Sequence, residues 1–314
     1  MRQRPLGNTG MQVSELALGT WGLSGDGYSP VPEAEQDKLI DRARALGITL
    51  FETADSYAHG AMERRLGEHL PEDGRIRIVT KIGTFLDDAP PRKRFDRSYL
   101  LEAFERSRER LRREVLDVVL LHNPSLSAIE RGEATAVLSE LEQHKKLRAW
   151  GASTGMAEVG RAAIRAGARV ISLPYNAFHS RELSMLADDL RKSDVGLLAH
   201  SVLAYGLLCG HWPHDKEFPA GDHRAERWTY DELRRRIRQL DALRPLVAGA
   251  VMTMRAGALR YVLSTPLVSS AILGPRSTLQ LDQLVREAGK SPPYLSEQAL
   301  TALAARLREV GADA

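Results

Sequence analysis

Eight short apolar runs, each followed by a helical pattern, and no G-x-G-x-x-G turn after the first of them predict an α/β chain folded as one (β/α)8 (TIM) barrel behind an N-terminal β-hairpin. Several of the runs are apolar almost throughout, as strands covered on both faces of a parallel sheet must be. A doubly wound sheet, the rival arrangement, would carry its glycine-rich turn after the first strand. The 314 residues suit a single barrel domain spanning residues 1–314, since such barrels need ~250 residues before insertions.

The elements follow in order. Residues 4–13 (RPLGNTGMQV) read as a hairpin turning at Asn8 to Gly10, placed to close the barrel bottom. The first strand is expected at 15–21 and the second at 47–53. The helix between them, 32–47, opens at Pro32, stops at Gly47 and carries Leu39, Ile40, Ala43 and Leu46 on one face. Strands three and four are expected at 75–83 and 116–123, separated by a helix at 97–111. A helix at 133–147 leads to the fifth strand, 147–153, and three more strands follow at 169–176, 195–201 and 268–274. Residues 83–96 and 205–230 exceed ordinary connection length and are expected to be functional loops.

The composition excludes several classes. Hydrophobic residues make up 43% and charged residues 27%, as in a soluble globular protein. No apolar run reaches the ~18 residues of a membrane span, and the N-terminus lacks an apolar signal core, which predicts a cytoplasmic protein. The net charge of +3 does not indicate nucleic acid, and the arginine-rich runs 108–114 and 233–239 read as solvated helix faces. A single cysteine, Cys209, excludes an internal disulfide framework. The oligomeric state is left open.

Catalytic groups of such barrels project from the C-terminal strand ends. There stand Glu52, Asp55 and Tyr57 after strand two, Lys81 in strand three, and His122 with Asn123 at strand four. Lys81 is one of eight lysines in an arginine-rich chain and lies between apolar neighbours in IVTKIG. An ammonium beside a phenol favours the phenolate and so makes the phenol a better acid, while an imidazole can polarise a carbonyl oxygen. Tyr57, Lys81 and His122 on adjacent strands would therefore protonate an oxygen while another group delivers electrons or a nucleophile. Two carboxylates, Glu52 and Asp55, precede Tyr57, and the residues alone leave open which of them works with it.

Several stretches in order, among them LGNTGMQVSELALGTWGL, FETADSYAHGAMERRLGEHL, IVTKIG, LDVVLLHNP, SLPYN and SSAILGPRSTLQLDQL, resemble the aldo-keto reductase family over nearly the whole chain. The resemblance implies a barrel with NADPH across its C-terminal mouth and hydride transfer to an aldehyde or ketone. It makes Tyr57 the general acid, Lys81 the group that lowers its pKa and His122 the group that positions the carbonyl, and it places Glu52 rather than Asp55, at the family's aspartate position, to pair with Lys81, in keeping with the period of two along a strand. By the same resemblance Thr20 and Trp21 line the nicotinamide end, with Ser153, Thr154, Ser172 and His200 around the ring. The 205–230 segment would cover the pyrophosphate above Ser201, Leu203 and Gly206. Arg276 and Ser277 would hold the 2′-phosphate, and Gln280 would face the adenine. Trp21, Tyr28, Phe85 and Asn123 are candidate pocket walls for a small carbonyl substrate.

Departures from the family pattern cluster at the site. Glu52 stands where the family has aspartate, Thr154 where it often has asparagine, Ser172 for glutamine, His200 for the stacking tyrosine and Leu284 for a late asparagine. They leave two alternatives beside a reductase: a non-redox isomerase, lyase or cyclase, and an NADP(H)-binding regulator. CGHWPHD, with His223 beyond it, has a spacing that could bind zinc, but it lies in the expected nucleotide loop and no metal site is assigned.

Overall fold

The computed structural model describes residues 1–312 other than 245, 246, 248 and 250. The N-terminal hairpin pairs β1 (Gln3–Pro5) with β2 (Gln12–Ser14). Eight parallel strands then close a barrel in chain order: β3 (Leu16–Gly19), β4 (Leu50–Glu52), β5 (Arg77–Ile82), β8 (Leu116–His122), β9 (Leu147–Ser153), β10 (Val170–Pro174), β11 (Gly196–His200) and β12 (Val268–Leu273). All eight strands expected from the sequence are present, each within its expected span. Between β5 and β8 the 83–96 stretch, read from sequence as a loop, folds into a small antiparallel hairpin of β6 (Thr84–Phe85) and β7 (Arg92–Lys93).

Helices cover the outside: α1 (Trp21–Ser24), α2 (Glu33–Ala45), α3 (Ala61–His69), α4 (Arg97–Leu111), α5 (Leu126–Glu130), α6 (Glu133–Gln143), α7 (Ala157–Arg165), α8 (Arg181–Lys192), α9 (Tyr230–Leu243), α10 (Met254–Leu263), α11 (Thr278–Ala288) and α12 (Glu297–Glu309). The α2 stripe of Leu39, Ile40 and Ala43 is buried as its spacing requires. Full burial of a leucine or isoleucine is worth about 1.5–3 kcal/mol. The α4 helix starts where Asp96 caps it, its carboxylate accepting from the Tyr99 amide at 3.1 Å. None of the described helices is long and apolar enough to cross a membrane.

The strands are buried on both faces and alternate accordingly. Leu16, Leu18, Phe51, Ile78, Val119 and Trp150 pack outward with the helices. Ala17, Leu50, Val79, Val118, Leu120, Ala149, Val170, Leu198 and Ile272 fill the interior, joined by Leu6, Met11 and Val13 of the N-terminal hairpin. The hairpin thus plugs the barrel bottom. At the plug a Cβ on Gly196 would lie 2.7 Å from Leu6, so glycine is what lets the hairpin approach.

Candidate active site

The side-chain period of two fixes what reaches the barrel mouth. Ala17, Leu50, Val79, Leu120, Ala149, Val170 and Leu198 face the interior. The next residue of the same parity on each strand is Gly19, Glu52, Lys81, His122, Gly151, Ser172 and His200, with Ser153 one step beyond Gly151. Six neighbouring strands therefore end, at the C-terminal side, in polar side chains aimed at one axis, and Gly19 leaves space on the seventh. A polar ring emerges from a register that apolar residues set below it.

Within that ring Glu52 and Lys81 form a buried ion pair, with 5% and 3% of their surfaces exposed. Lys81 Nζ also donates to Tyr57 Oη at 2.9 Å and to the Thr53 carbonyl at 3.0 Å. Glu52 is accommodated because the facing position on β3 is Gly19. A Cβ there would lie 3.2 Å from Glu52 Oε2 and 2.7 Å from Ile272. Asp55 points elsewhere: its amide still bonds the Lys81 carbonyl at 2.9 Å, but its side chain lines a cavity beside the mouth. Tyr57 is set by a 3-10 turn, Tyr57–Gly60, in which Ala58 and His59 have φ of 47° and 52°. The turn is held from outside by Asp26, whose carboxylate accepts from the Ala58 amide at 2.9 Å. Asn123, Ser201, Ala204 and Tyr205 also have positive φ, so left-handed non-glycine backbone collects at this mouth.

The His122 ring stands edge-on to Tyr57, centroids 6.1 Å apart, and its Nδ1 lies 3.3 Å from Thr84 Oγ1. Thr84 in turn accepts from Lys93 Nζ at 2.7 Å. Burial, then the charge of Lys81, pushes His122 well below the ordinary histidine range, so its ring is neutral. His200 is pushed down to about 3 by the same two causes, and its Nδ1 lies 3.0 Å from Ser201 Oγ. Burial also pushes the Lys81 ammonium well below its ordinary value; contact with the Glu52 carboxylate opposes that loss of charge. For Tyr57 the balance differs from the sequence expectation. Burial, followed by the charges of Asp26 and Asp55, raises the phenol above its ordinary value. Desolvation thus outweighs the Lys81 hydrogen bond, and Tyr57 keeps its proton.

Residues 15–298 match the sequence model of the aldo/keto reductase family. The chain belongs to this family. It is 27% identical over 299 residues to the aldo-keto reductase YhdN of Bacillus subtilis, covering 92% of this chain and 89% of that protein. It is also 27% identical over 318 residues to a probable voltage-gated potassium channel subunit beta of Arabidopsis thaliana, covering 93% and 92%. Among solved structures, the glycerol dehydrogenase AKR11B4 of Gluconobacter oxydans shares the fold, with a TM-score of 0.85 at 24% identity over 99% of this chain and 97% of that one. The family is one of oxidoreductases acting on small carbonyl compounds.

The remaining family positions fall into two groups. Arg276, Ser277 and Gln280 sit together at the start of α11, where Ser277 caps the helix and Gln280 accepts from the Arg276 amide at 2.8 Å. The Arg276 guanidinium donates to the carbonyl oxygens of Gly22 and Ser29, so this cation also ties down the loop after α1. At the ends of β9 and β10, Ser153, Thr154 and Ser172 are buried, and the Ser172 hydroxyl has no hydrogen-bond partner among the described residues. Thr20 is buried and donates to Thr53 Oγ1 at 3.0 Å. Leu203 begins the tight turn that continues through Gly206, whose φ is 100°.

The four expected pocket walls have the following surroundings. Trp21 and Tyr28 pack edge to face at 5.3 Å, Phe85 lines the side cavity with Asp55, and Asn123 is exposed. The structure adds residues that the sequence reading passed over. His223 and Tyr205, from the long 205–230 segment, pack on Trp21 at centroid distances of 4.6 and 6.5 Å. Thr84 belongs to the 83–96 stretch, expected to be a functional loop, in which no periodicity singles it out. The histidines near Cys209 disperse, His214 toward Asp241 at 3.4 Å and His223 onto Trp21.

Proposed function

We propose that the chain is an NADPH-dependent reductase of small aldehydes or ketones in which Tyr57 is the proton donor. The observation that carries this reading is the run of contacts from Glu52 through Lys81 Nζ to Tyr57 Oη, the last at 2.9 Å. The residues present fit a nicotinamide cofactor. The unpartnered Ser172 hydroxyl suits the carboxamide, the neutral His200 ring offers a stacking face, and the N-terminus of α11 with Arg276 suits a phosphate. When bound, the cofactor supplies the hydride that reduces the carbonyl carbon.

The protein's own part is positioning and proton transfer. Tyr57 holds its proton and gives it to the carbonyl oxygen as negative charge develops there. Lys81 then stabilises the charge left on the phenol oxygen, and Glu52 keeps Lys81 protonated despite burial. A neutral His122 that accepts from Thr84 at Nδ1 carries its proton on Nε2 and can orient the same carbonyl oxygen. Thr154 offers less than an asparagine would, because its hydroxyl accepts from the Met156 amide at 3.1 Å within its own turn.

The test is consumption of NADPH by purified protein with a panel of aldehydes and ketones, compared with Tyr57→Phe. A reductase oxidises NADPH with at least one carbonyl and loses that rate in the variant. Equal rates in the two proteins, or NADPH binding with no turnover across the panel, would overturn the proposal.

A further inference from the structure

Outside the polar ring, beside the Tyr57 turn, lies a cavity of about 210 Å³. Asp55 reaches it from the turn after β4, Thr84 and Phe85 from the β6–β7 hairpin, and Tyr99, Arg106 and Arg110 from α4. Thr84 bonds His122 and Phe85 is a candidate pocket wall, whereas Asp55, Tyr99, Arg106 and Arg110 have no part in the proposed reduction. Three features of the cavity point to one kind of ligand.

The first is Asp55. It is 7% exposed, and its Oδ1 has no hydrogen-bond partner among the described residues. A buried carboxyl with an unmet bond costs stability unless something fills it. Burial, then the charge of Glu63, pushes this carboxyl up to about 8. The second is the pair of guanidiniums on α4. Arg110 meets Glu63 through Nη1 at 3.2 Å and Arg106 meets Glu102 through Nη1. Each guanidinium has five N–H donors, so both retain capacity for an anion. The third is the apolar wall, where Phe85 and Tyr99 stand edge to face at 5.7 Å. A cavity of ~150 Å³ holds a benzene-sized guest, so this one encloses about six to ten heavy atoms.

We propose that this cavity binds a small hydroxycarboxylate, with its carboxylate on Arg106 and Arg110 and its hydroxyl on Asp55. Thr84 connects the site to the polar ring: it forms part of the wall and its Oγ1 lies 3.3 Å from His122 Nδ1. The ligand therefore sits one hydroxyl away from His122.

Calorimetry on the cofactor-free full chain tests this without reference to reductase activity. Lactate, propionate and inorganic phosphate are the probes. Lactate should bind one to one. Propionate lacks the hydroxyl and should bind roughly 2- to 13-fold more weakly, the range for one neutral hydrogen bond. Asp55→Ala should bring lactate down to the propionate level. Arg106→Ala should weaken both carboxylates by roughly 10- to 150-fold, as for a charged hydrogen bond. The two variants lie on different elements, and thermal unfolding of each establishes that it is folded. A crystal soaked in lactate should show it against Asp55 and Arg106. No lactate binding, tighter binding of phosphate than of lactate, unchanged affinity in both folded variants, or lactate located elsewhere would each overturn the proposal.

Discussion

Replacing Glu52 by glutamine isolates the role of the carboxylate that pairs with Lys81. Both side chains are almost fully buried, at 6% and 3% exposure. Removing one partner of a buried pair costs ~3–5 kcal/mol, because the other charge is left uncompensated. The variant has one escape, which is to release the Lys81 proton. At pH 7 that costs at most 1.36 × (10.4 − 7), or ~4.6 kcal/mol, and at pH 9 only ~1.9 kcal/mol. The sign follows from the depressed folded-state pKa of Lys81. Below pH ~10.4 the unfolded chain binds a proton that the folded variant does not, so the variant's stability rises with pH. With ~2.1 cal/mol/K per residue over ~300 residues, the unfolding entropy is ~0.6 kcal/mol/K, and the loss in Tm is ~5–8 °C at pH 7 and ~3 °C at pH 9. Calorimetric or circular-dichroism melting at both pH values measures it. Glu52→Gln combined with Lys81→Met should recover most of the loss, since no lone charge then remains. A Tm within ~1 °C of the parent at pH 7, or an equal deficit at both pH values, would refute the reasoning.

The other predictions concern activity, cofactor and fold. Tyr57→Phe should lower kcat by ~10²–10⁴-fold with little change in KM, read from NADPH consumption, because only the proton donor is lost. The alkaline limb of kcat/KM should have its midpoint below the ~10.4 of free lysine and should disappear in Lys81→Met; a midpoint above that value would contradict the downward push of burial on Lys81. Arg276→Ala should weaken NADPH binding by ~10- to 150-fold and NADH binding much less, measured by quenching of tryptophan fluorescence, since one charged hydrogen-bond partner of the 2′-phosphate is removed. Gly151→Ala should abolish soluble expression or lower Tm sharply, because the new methyl would fall 1.7 Å from the Val170 carbonyl oxygen in the neighbouring strand.

Much of this protein was legible from residue order alone. Strand burial on both faces is written in apolar runs such as VVLL before His122, and helix ends in Pro32 and Gly47, because these signals are local. The family pattern, with the period of two in support, pointed to Glu52 as the carboxylate that meets Lys81, and the structure pairs the two. Other features were illegible because they depend on what lies across space. The β6–β7 hairpin carries little periodicity, so Thr84 gave no sign that it would stand beside His122. Nothing near Trp21 announces that His223, two hundred residues on, packs against its ring.

Burial decided the rest. The sequence supplies a phenol beside an ammonium, which alone argues for a more acidic tyrosine. The fold buries Lys81 and half-buries Tyr57, and desolvation raises Tyr57 instead. The same closure leaves Asp55 in a cavity with two guanidiniums that its neighbours in the chain do not reveal. Sequence determines which groups reach the mouth, because alternation along a strand is a property of the backbone. Only tertiary structure determines their ionisation and their partners, because solvent exclusion is a property of the whole packed barrel.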